Sequence, residues 1–298
     1  MILLDGKKLS EKILAQLKKQ VSQLQKKPVL AMILVGDDPA SAIYVRRKKI
    51  FCEEVGIISK TLKLPARTSE KKLLAIIDKL NKDKNVTAIM VQLPLSGHMS
   101  KNKIIEAINP RKDADCLHPA NYGKFAQVDE NYSVVAPATP FGIIKLLEEY
   151  KIKIEGKHAV VVGRSNIVGK PAAQLLLSRG ATVTICHRHT KNLAAFTRQA
   201  DILVVAVGKR NLIRGNMMKK GVVVIDVGMN RFGKKIFGDV DFPSVSKKAS
   251  FISPVPGGVG PTTIAILLWN TVQLAHLDSR LDSVNPRRTS RLAKRAKK

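Results

Sequence analysis

Lys48 is the side chain whose surroundings most suggest chemistry. The segment SAIYVRRKKIFCEEVG (41–56) reads as a helix. Spacing of i, i+3/i+4 puts Ser41, Tyr44, Lys48, Phe51, Cys52 and Val55 on one face. Lys48 thus stands in a mostly apolar stripe, while Arg46, Arg47, Lys49, Glu53 and Glu54 point elsewhere. An ammonium group is costly to bury unless it is paired or neutralised. Such a lysine acquires a lowered pKa and can donate or accept a proton. Tyr44, one turn earlier, suits stacking on a planar ligand. The alternative is a lysine at the edge of the stripe, with its amine reaching water.

Partners for Lys48 must come from elsewhere in the chain. In open α/β sheets, ligands bind beyond the carboxyl ends of the strands. VQLPLSG (91–97) brings Gln92 to such an end, and KDADCLHP (112–119) supplies Asp113 and Asp115 from irregular chain. PVPGGVGPTT (254–263) holds three prolines and three glycines, Pro256, Gly257 and Gly258 among them. Its backbone can approach a ligand closely. Taken singly, Gln92 and Asp115 read equally well as structural residues.

A second chemistry lies in HAVVVGRSNIVGKP (158–171), which reads as strand, glycine turn and helix start. A phosphate can sit on the N–H groups exposed there. The pattern departs from G-x-G-x-x-G. Ser165 occupies the second glycine's place, and Gly169 follows Gly163 by six residues. NAD sites usually carry an acid about 20 residues on, to hold the ribose 2′-hydroxyl. Here ICHRHTKN (185–192) has no acid but offers His187, Arg188, His189 and Lys191, and Arg164 sits in the turn. These cations point to a 2′-phosphate, hence to NADP. The bland alternatives are a structural βα turn and ordinary solvated cations.

The elements that must position these groups alternate. Strands are expected at 29–36, 86–95, 158–162, 181–186, 201–207, 221–227 and 251–255. Helices are expected at 41–56, 69–83, 101–108, 141–150, 169–179 and 263–277. This order predicts parallel sheets covered by helices. Prolines and glycines across 110–140 break the rhythm, which suggests a loop region and a domain boundary near 120–138. RRTSRLAKRAKK (287–298) holds seven Lys or Arg and no acid, and reads as a disordered basic tail.

Composition narrows the function classes. At 298 residues the chain suits two domains. No apolar run reaches the roughly 18 residues that span a bilayer, and the N-terminus does not read as a signal peptide. Lys+Arg is 52 against 23 Asp+Glu, a net charge of +29 that favours anionic partners or reflects a generally basic protein. Aromatics at 4% are poor material for stacking nucleic-acid bases. Cys52, Cys116 and Cys186 are widely spaced, with no metal-ligand pattern, which fits a reducing cytoplasm rather than a disulfide framework.

Taken in order, SAIYVRRKK, VQLPL, KDADCLHP, PATPFG, GRSNIVGKP, DVGMNR and PVPGGVGPTT resemble the methylenetetrahydrofolate dehydrogenase/cyclohydrolase (FolD-type) family over roughly residues 1–280. The resemblance implies an α/β fold of two lobes with a cleft between them. An N-terminal folate lobe would span 1–120 and be completed by a helix at 263–280. A Rossmann-type NADP-binding lobe would span 135–262, and a basic tail 281–298. It implies NADP-dependent oxidation of 5,10-methylenetetrahydrofolate, then hydrolysis to 10-formyltetrahydrofolate, with no metal.

The resemblance also implies residue roles. Lys48 is the catalytic lysine, tuned by Gln92. Tyr44 stacks along the folate, Asp115 anchors the pterin, and Pro256, Gly257 and Gly258 line the folate cleft. Gly163, Arg164, Ser165, Arg188 and Met229 take the cofactor. A cytoplasmic homodimer joined through the nucleotide lobe is expected, as is a basic cleft for a polyglutamylated folate tail. Three positions depart from the pattern. Cys116 stands at a common glycine and is expected to narrow the cleft or move Asp115, Ala138 replaces a common cysteine, and Arg188 a common serine. Two other readings remain at this point: a dehydrogenase without hydrolysis, and a nucleic-acid binder on an old enzyme fold. Non-specific nucleic-acid binding by the tail is compatible with either enzyme reading.

Overall fold

Short runs of Val, Ile and Leu alternate with amphipathic stretches, and each pair becomes a strand and a helix that covers it. The computed structural model describes residues 1–127, 135–233 and 235–284. In chain order the elements begin with β1 (Ile2–Leu3), α1 (Gly6–Ser22), β2 (Val29–Val35), α2 (Pro39–Val55), β3 (Ile58–Leu64), α3 (Glu70–Lys82) and β4 (Ala88–Val91). Next come α4 (Lys101–Glu106), α5 (Pro119–Gln127), α6 (Ala138–Glu149), β5 (His158–Val162), α7 (Gly169–Ser178) and β6 (Thr182–Cys186). The last are α8 (Leu193–Thr197), β7 (Ile202–Val205), β8 (Val223–Asp226), β9 (Asn230–Phe232), β10 (Lys235–Phe237), α9 (Phe242–Val245), β11 (Phe251–Ile252) and α10 (Val259–Val284). Contacts divide the chain into two units, residues 16–121 with 268 onward, and residues 1–15 with 122–267.

The first unit holds a three-stranded parallel sheet in the order β3-β2-β4. β2 is central and buried along nearly its whole length, so it needs apolar side chains on both faces. β3 lies at the edge, where it alternates with lysine. Lys60 and Lys63 there pair with Asp83 at 3.7 Å and Asp37 at 2.9 Å. Charged side chains on an edge strand discourage pairing with another chain. α3 starts where the Ser69 side chain accepts from the Lys72 N–H at 3.3 Å. It buries Leu73, Ile77 and Leu80 against Ile33, Ile89 and Ile104.

The second unit is built on a six-stranded sheet, β1-β11-β8-β7-β5-β6, in which every pairing is parallel. Its core gathers Val160, Val162, Leu203, Val205, Val224 and Ile252. The sequence places residues 1–15 in the N-terminal lobe. Backbone pairing instead adds β1 to this sheet, with Ile2 N–H donating to Ser250 O at 2.7 Å and Leu4 N–H to Ile252 O at 2.9 Å. Two exposed apolar residues at a terminus carry no pairing signal of their own, so only the free edge of β11 decides this.

Other boundaries also shift. The expected strand 86–95 is paired only over Ala88–Val91, because the chain turns at Leu93 and Pro94, and a proline has no N–H for a ladder. The region 110–140, read as loop, contains a 3-10 turn at Pro110–Lys112 and α5. Pro119 is acceptable in a helix's first turn, so it starts a helix inside the stretch whose prolines suggest a loop. α10 runs on to Val284, which makes the first four residues of the expected tail helical. The basic segment 287–298 lies outside the described residues, and so does 128–134.

A buried pair of carboxylates ties the second unit together. Asp226, at the end of β8, accepts from the N–H groups of Gly228, Asp239 and Val240 at 3.0, 2.9 and 3.1 Å. Asp239 accepts from Val207 N–H at 2.7 Å, Gly208 N–H at 2.9 Å and Asn230 Nδ2 at 2.9 Å. Gly238 must lack a side chain, since a Cβ there would lie 1.7 Å from Asp226 Oδ2. Each carboxylate thus satisfies backbone donors that no strand can reach. Asp239→Ala leaves those donors buried without acceptors and is expected to cost about 2–4 kcal/mol. Urea unfolding of the variant beside the parent measures this.

Candidate active site

α2 carries the central group of the first unit. The Asp38 side chain accepts from the Ser41 N–H at 2.7 Å, and Gly56 ends the helix at φ 85°. Between these stops, Ser41, Val45, Lys48, Cys52 and Val55 are buried, with Tyr44 and Phe51 half-buried. The stripe expected from the spacing is therefore the inner face, and Lys48 lies within it at 7% exposure. Lys48 Nζ donates to Gln92 Oε1 at 3.0 Å and approaches Met90 Sδ at 3.3 Å. It does not reach out to water.

Gln92 is aimed by the backbone around it. It follows β4, its N–H donates to Ile33 O at 2.8 Å, and its Nε2 donates to Leu93 O at 2.7 Å. With the amide nitrogen engaged, the side-chain oxygen is left for Lys48. Asp115 comes from a segment pinned on two sides. Ala114 N–H donates to Ile89 O at 3.2 Å, and Asn270 Nδ2 on α10 donates to Ala114 O at 2.7 Å. Asp113, buried, accepts from His118 N–H at 2.9 Å and Asn121 Nδ2 at 3.0 Å. Asp113 is thus the structural aspartate of the KDADC pair, and Asp115, half-buried, is the one left for chemistry.

Burial dominates the electrostatics. It lowers the pKa of Lys48, while Asp115 and then the Cys52 thiol act the other way. It raises Asp115 to about 6, opposed by the attraction of Lys48 and reinforced by Asp113. It raises the Tyr44 phenol, against the pull of Arg47, and pushes the Cys52 thiol up to about 12. Each member of the Lys48–Asp115 pair is therefore shifted toward its neutral form, as groups at functional sites often are.

Cys116 has φ 56°, in the left-handed region that favours glycine. Its side chain is fully buried, and burial raises the thiol pKa further. The backbone that a glycine would adopt freely is thus retained, with the thiol packed inside rather than exposed.

The second unit presents a turn at the end of β5. Gly163 has φ 129°, and a Cβ on it would lie 2.2 Å from Ala206 O. A Cβ on Gly169 would lie 2.2 Å from Gly163 O. Both must be glycine for the turn to close. Ser165 Oγ accepts from the N–H groups of Val168 at 3.2 Å and Gly169 at 3.3 Å, so it bridges the turn to α7. This explains a serine in place of the second glycine. Arg164 is exposed beside it.

β6 runs beside β5 with Cys186 opposite Val162, which brings the 187–191 loop to the same sheet edge as Gly163. Arg188 is exposed there, and its Nε contacts His189 Nε2 at 3.0 Å. Met229, 45% exposed, follows β8 in the stretch held by Asp226. Close backbone approach at Gly163, two exposed guanidinium groups and a helix start all suit a phosphorylated dinucleotide.

The loop after β11 is equally constrained. Gly257 has φ 110°, and its carbonyl accepts from Lys7 N–H at 3.2 Å. A Cβ on Gly6 would lie 1.8 Å from Gly258 O, so the start of α1 presses directly on Pro256–Gly258. Lys48, Tyr44, Gln92 and Asp115 fall in one unit, and the Gly163, Arg188, Met229 and Pro256–Gly258 groups in the other. Among the described residues no cluster of three His, Cys, Asp or Glu is placed to hold a metal. None of their helices is long and apolar enough to cross a membrane.

Sequence reasoning missed three members of this arrangement. Met90 reads as plain core, and Asn121 and Asn270 have no local signal because their partners lie across the fold. The acid pair Asp226 and Asp239 carries no local signal beyond the motif DVGMNR, because the donors it satisfies lie in other turns.

Comparison with known proteins identifies the family. Residues 4–115 match the catalytic domain of tetrahydrofolate dehydrogenase/cyclohydrolase, and residues 137–279 its NAD(P)-binding domain. A bifunctional protein FolD from a Nitratiruptor strain is 53% identical over 279 residues, covering 92% of this chain and 98% of the relative. The crystal structure of the Campylobacter jejuni bifunctional FolD methylenetetrahydrofolate dehydrogenase/cyclohydrolase superposes at a TM-score of 0.90, with 51% identity over 93% of this chain and 99% of that one. The Trypanosoma brucei FolD, solved with NADP cofactor and an inhibitor, gives 0.91 at 35% identity, over 94% and 99%. With both domain models matched and half the residues shared along nearly its whole length, the chain belongs to the tetrahydrofolate dehydrogenase/cyclohydrolase family.

Proposed function

We propose that this chain oxidises 5,10-methylenetetrahydrofolate to the 5,10-methenyl form and then hydrolyses that product to 10-formyltetrahydrofolate, with Lys48 serving both steps. The observation that carries this is the buried Lys48 ammonium on Gln92 Oε1 at 3.0 Å, with Asp115 close enough to act on its charge. NADP, when bound, takes the hydride that leaves the substrate's methylene carbon. Gly163 and Ser165 would shape the turn for its phosphates, Arg164 and Arg188 would hold its 2′-phosphate, and Met229 would contact it.

Oxidation leaves a methenyl cation shared between the two folate nitrogens. Water adds to that carbon, a proton is lost, and the bond to one nitrogen breaks to leave a formyl group on the other. Lys48 is suited to this proton traffic because burial lowers its pKa and Gln92 fixes its amine. It also orients the substrate during hydride transfer. Asp115 anchors the pterin by accepting N–H groups, Tyr44 stacks along the ring, and Pro256, Gly257 and Gly258 border the folate.

We further infer a cytoplasmic homodimer. Three free, buried cysteines suit a reducing compartment. β6 is an outer strand of the six-stranded sheet and carries Ile185 at 42% exposure, with Leu177 on α7 at 55%. An unpaired apolar edge of this kind favours a second copy. The excess of positive charge suits a polyglutamylated folate as well as NADP.

Lys48→Met should keep NADP binding but lose hydrolysis, so methenyl-folate accumulates in an absorbance assay. Undiminished hydrolysis in that variant would remove Lys48 from the mechanism. Asp115 can accept N–H donors on both oxygens, with a full charge, only as a carboxylate, so the folate KM should climb as pH falls through about 6. Asp115→Asn should show a high KM that no longer responds to pH in that window. Arg188→Ser should raise the KM for NADP about tenfold and leave turnover with NAD unchanged, consistent with one lost phosphate contact.

A further inference from the structure

Five lysines converge at the opposite end of the large sheet from the nucleotide turn. Lys151, Lys153 and Lys157 lead into β5, and Lys219 and Lys220 lie ahead of β8. With Asp201, just before β7, they line a hollow of about 360 Å³. That volume falls in the range of small-molecule sites. Its floor is apolar, from Ile202, Val223 and Phe251. Five ammonium groups against one carboxylate leave a charge of +4 in one concavity.

The single acid is already engaged. Lys219 Nζ donates to Asp201 Oδ1 at 2.6 Å, and His158 N–H donates to Oδ2 at 2.8 Å. Lys219, followed by His158, holds the Asp201 carboxyl below its ordinary pKa, so it stays ionised and committed. Among the described residues, the side-chain amines of Lys151, Lys153, Lys157 and Lys220 make no hydrogen bond or ion pair, although the charge of Lys157 acts on Asp201. They are exposed at the rim and repel one another. Lys151 also sits at φ 53°, in a left-handed turn after α6 where glycine or asparagine suits the backbone better. A lysine there does nothing for the turn, but it adds a charge to the hollow.

We propose that this hollow is a second anion site, for a small phosphorylated molecule bearing two or more phosphoryl groups. The lysine rim takes the phosphoryl oxygens, and the floor of Ile202, Val223 and Phe251 takes the less polar body. Phosphoryl groups fit better than a single carboxylate because four unpaired ammonium groups need several negative charges to balance them. The site is distinct from the NADP turn. The turn lies at the carboxyl ends of the same strands, which span about 13–17 Å at four or five residues each.

The test is calorimetric titration of the full chain, saturated with NADP, with inorganic pyrophosphate. One site per chain is expected, weakening as salt is raised. The Lys151→Ala/Lys153→Ala/Lys220→Ala variant should bind pyrophosphate about tenfold more weakly or less, with an unchanged KM for NADP. A charge-matched variant on α3, Lys71→Ala/Lys72→Ala/Lys79→Ala, should bind it as the parent does. Equal losses in the two variants would reduce the effect to net charge and overturn the proposal. Binding abolished by NADP would place it at the nucleotide turn, and full binding by the hollow variant would place it elsewhere; either overturns the proposal.

Discussion

The interaction on which the proposed chemistry depends is the burial of one ammonium group. Lys48 is surrounded by Val45, Cys52 and Met90, and its defined polar contact is the oxygen of Gln92. A charged lysine would be expensive in such a place, which drives it toward the neutral amine. The surrounding structure limits that cost without removing it. Gln92 gives one strong acceptor, and Asp115 gives a countercharge that burial itself weakens by raising its pKa to about 6. Burial thus pushes both members toward their neutral forms. A fully solvated pair would be locked as ions, and a fully paired, hydrogen-bonded one would be too stable to react.

This balance explains structure some distance from the lysine. Gln92 can accept from Lys48 because its own amide is tied to Leu93 O. Asp115 is held at its place because Asp113 closes the following turn and Asn270 grips Ala114. The buried Cys116 in a left-handed conformation belongs to the same constraint. The turn needs that backbone angle whether or not the residue is glycine. The chain accepts a strain of about 1 kcal/mol there and recovers part of it by burying the thiol.

In the second unit the corresponding constraint is steric. The turn after β5 closes only because Gly163 and Gly169 have no side chains, and Ser165 supplies the acceptor that ties it to α7. The neighbouring turns after β7 and β8 are held by Asp239 and Asp226, which together accept six donors. Loops at such an edge would otherwise be the mobile part of the sheet. The carboxylates give them fixed positions, and the exposed Arg164, Arg188 and Met229 project from that frame. Positive charge also accumulates at the other end of the strands, where no turn of the nucleotide site requires it.

Local patterns in the chain were enough for a good part of this. The helical spacing around Lys48 placed it on the inner face, and the run HAVVV became β5 over the expected residues. The motifs identified the family. Each of these is a short-range property, set by period, capping or turn geometry within about ten residues. What the sequence left open depends on contacts across the fold. Met1–Leu4 carry no pairing signal of their own until the edge of β11 is there to pair with. By residue type alone Asp113 and Asp115 look equivalent two residues apart, and it is the positions of His118 and Asn121 that show Asp113 to be structural. Lys48 is equally compatible with a solvated edge until Met90 and Gln92 close over it. Spacing along the chain specifies which face a side chain takes, but burial depends on what the rest of the fold puts against that face, and burial sets the pKa.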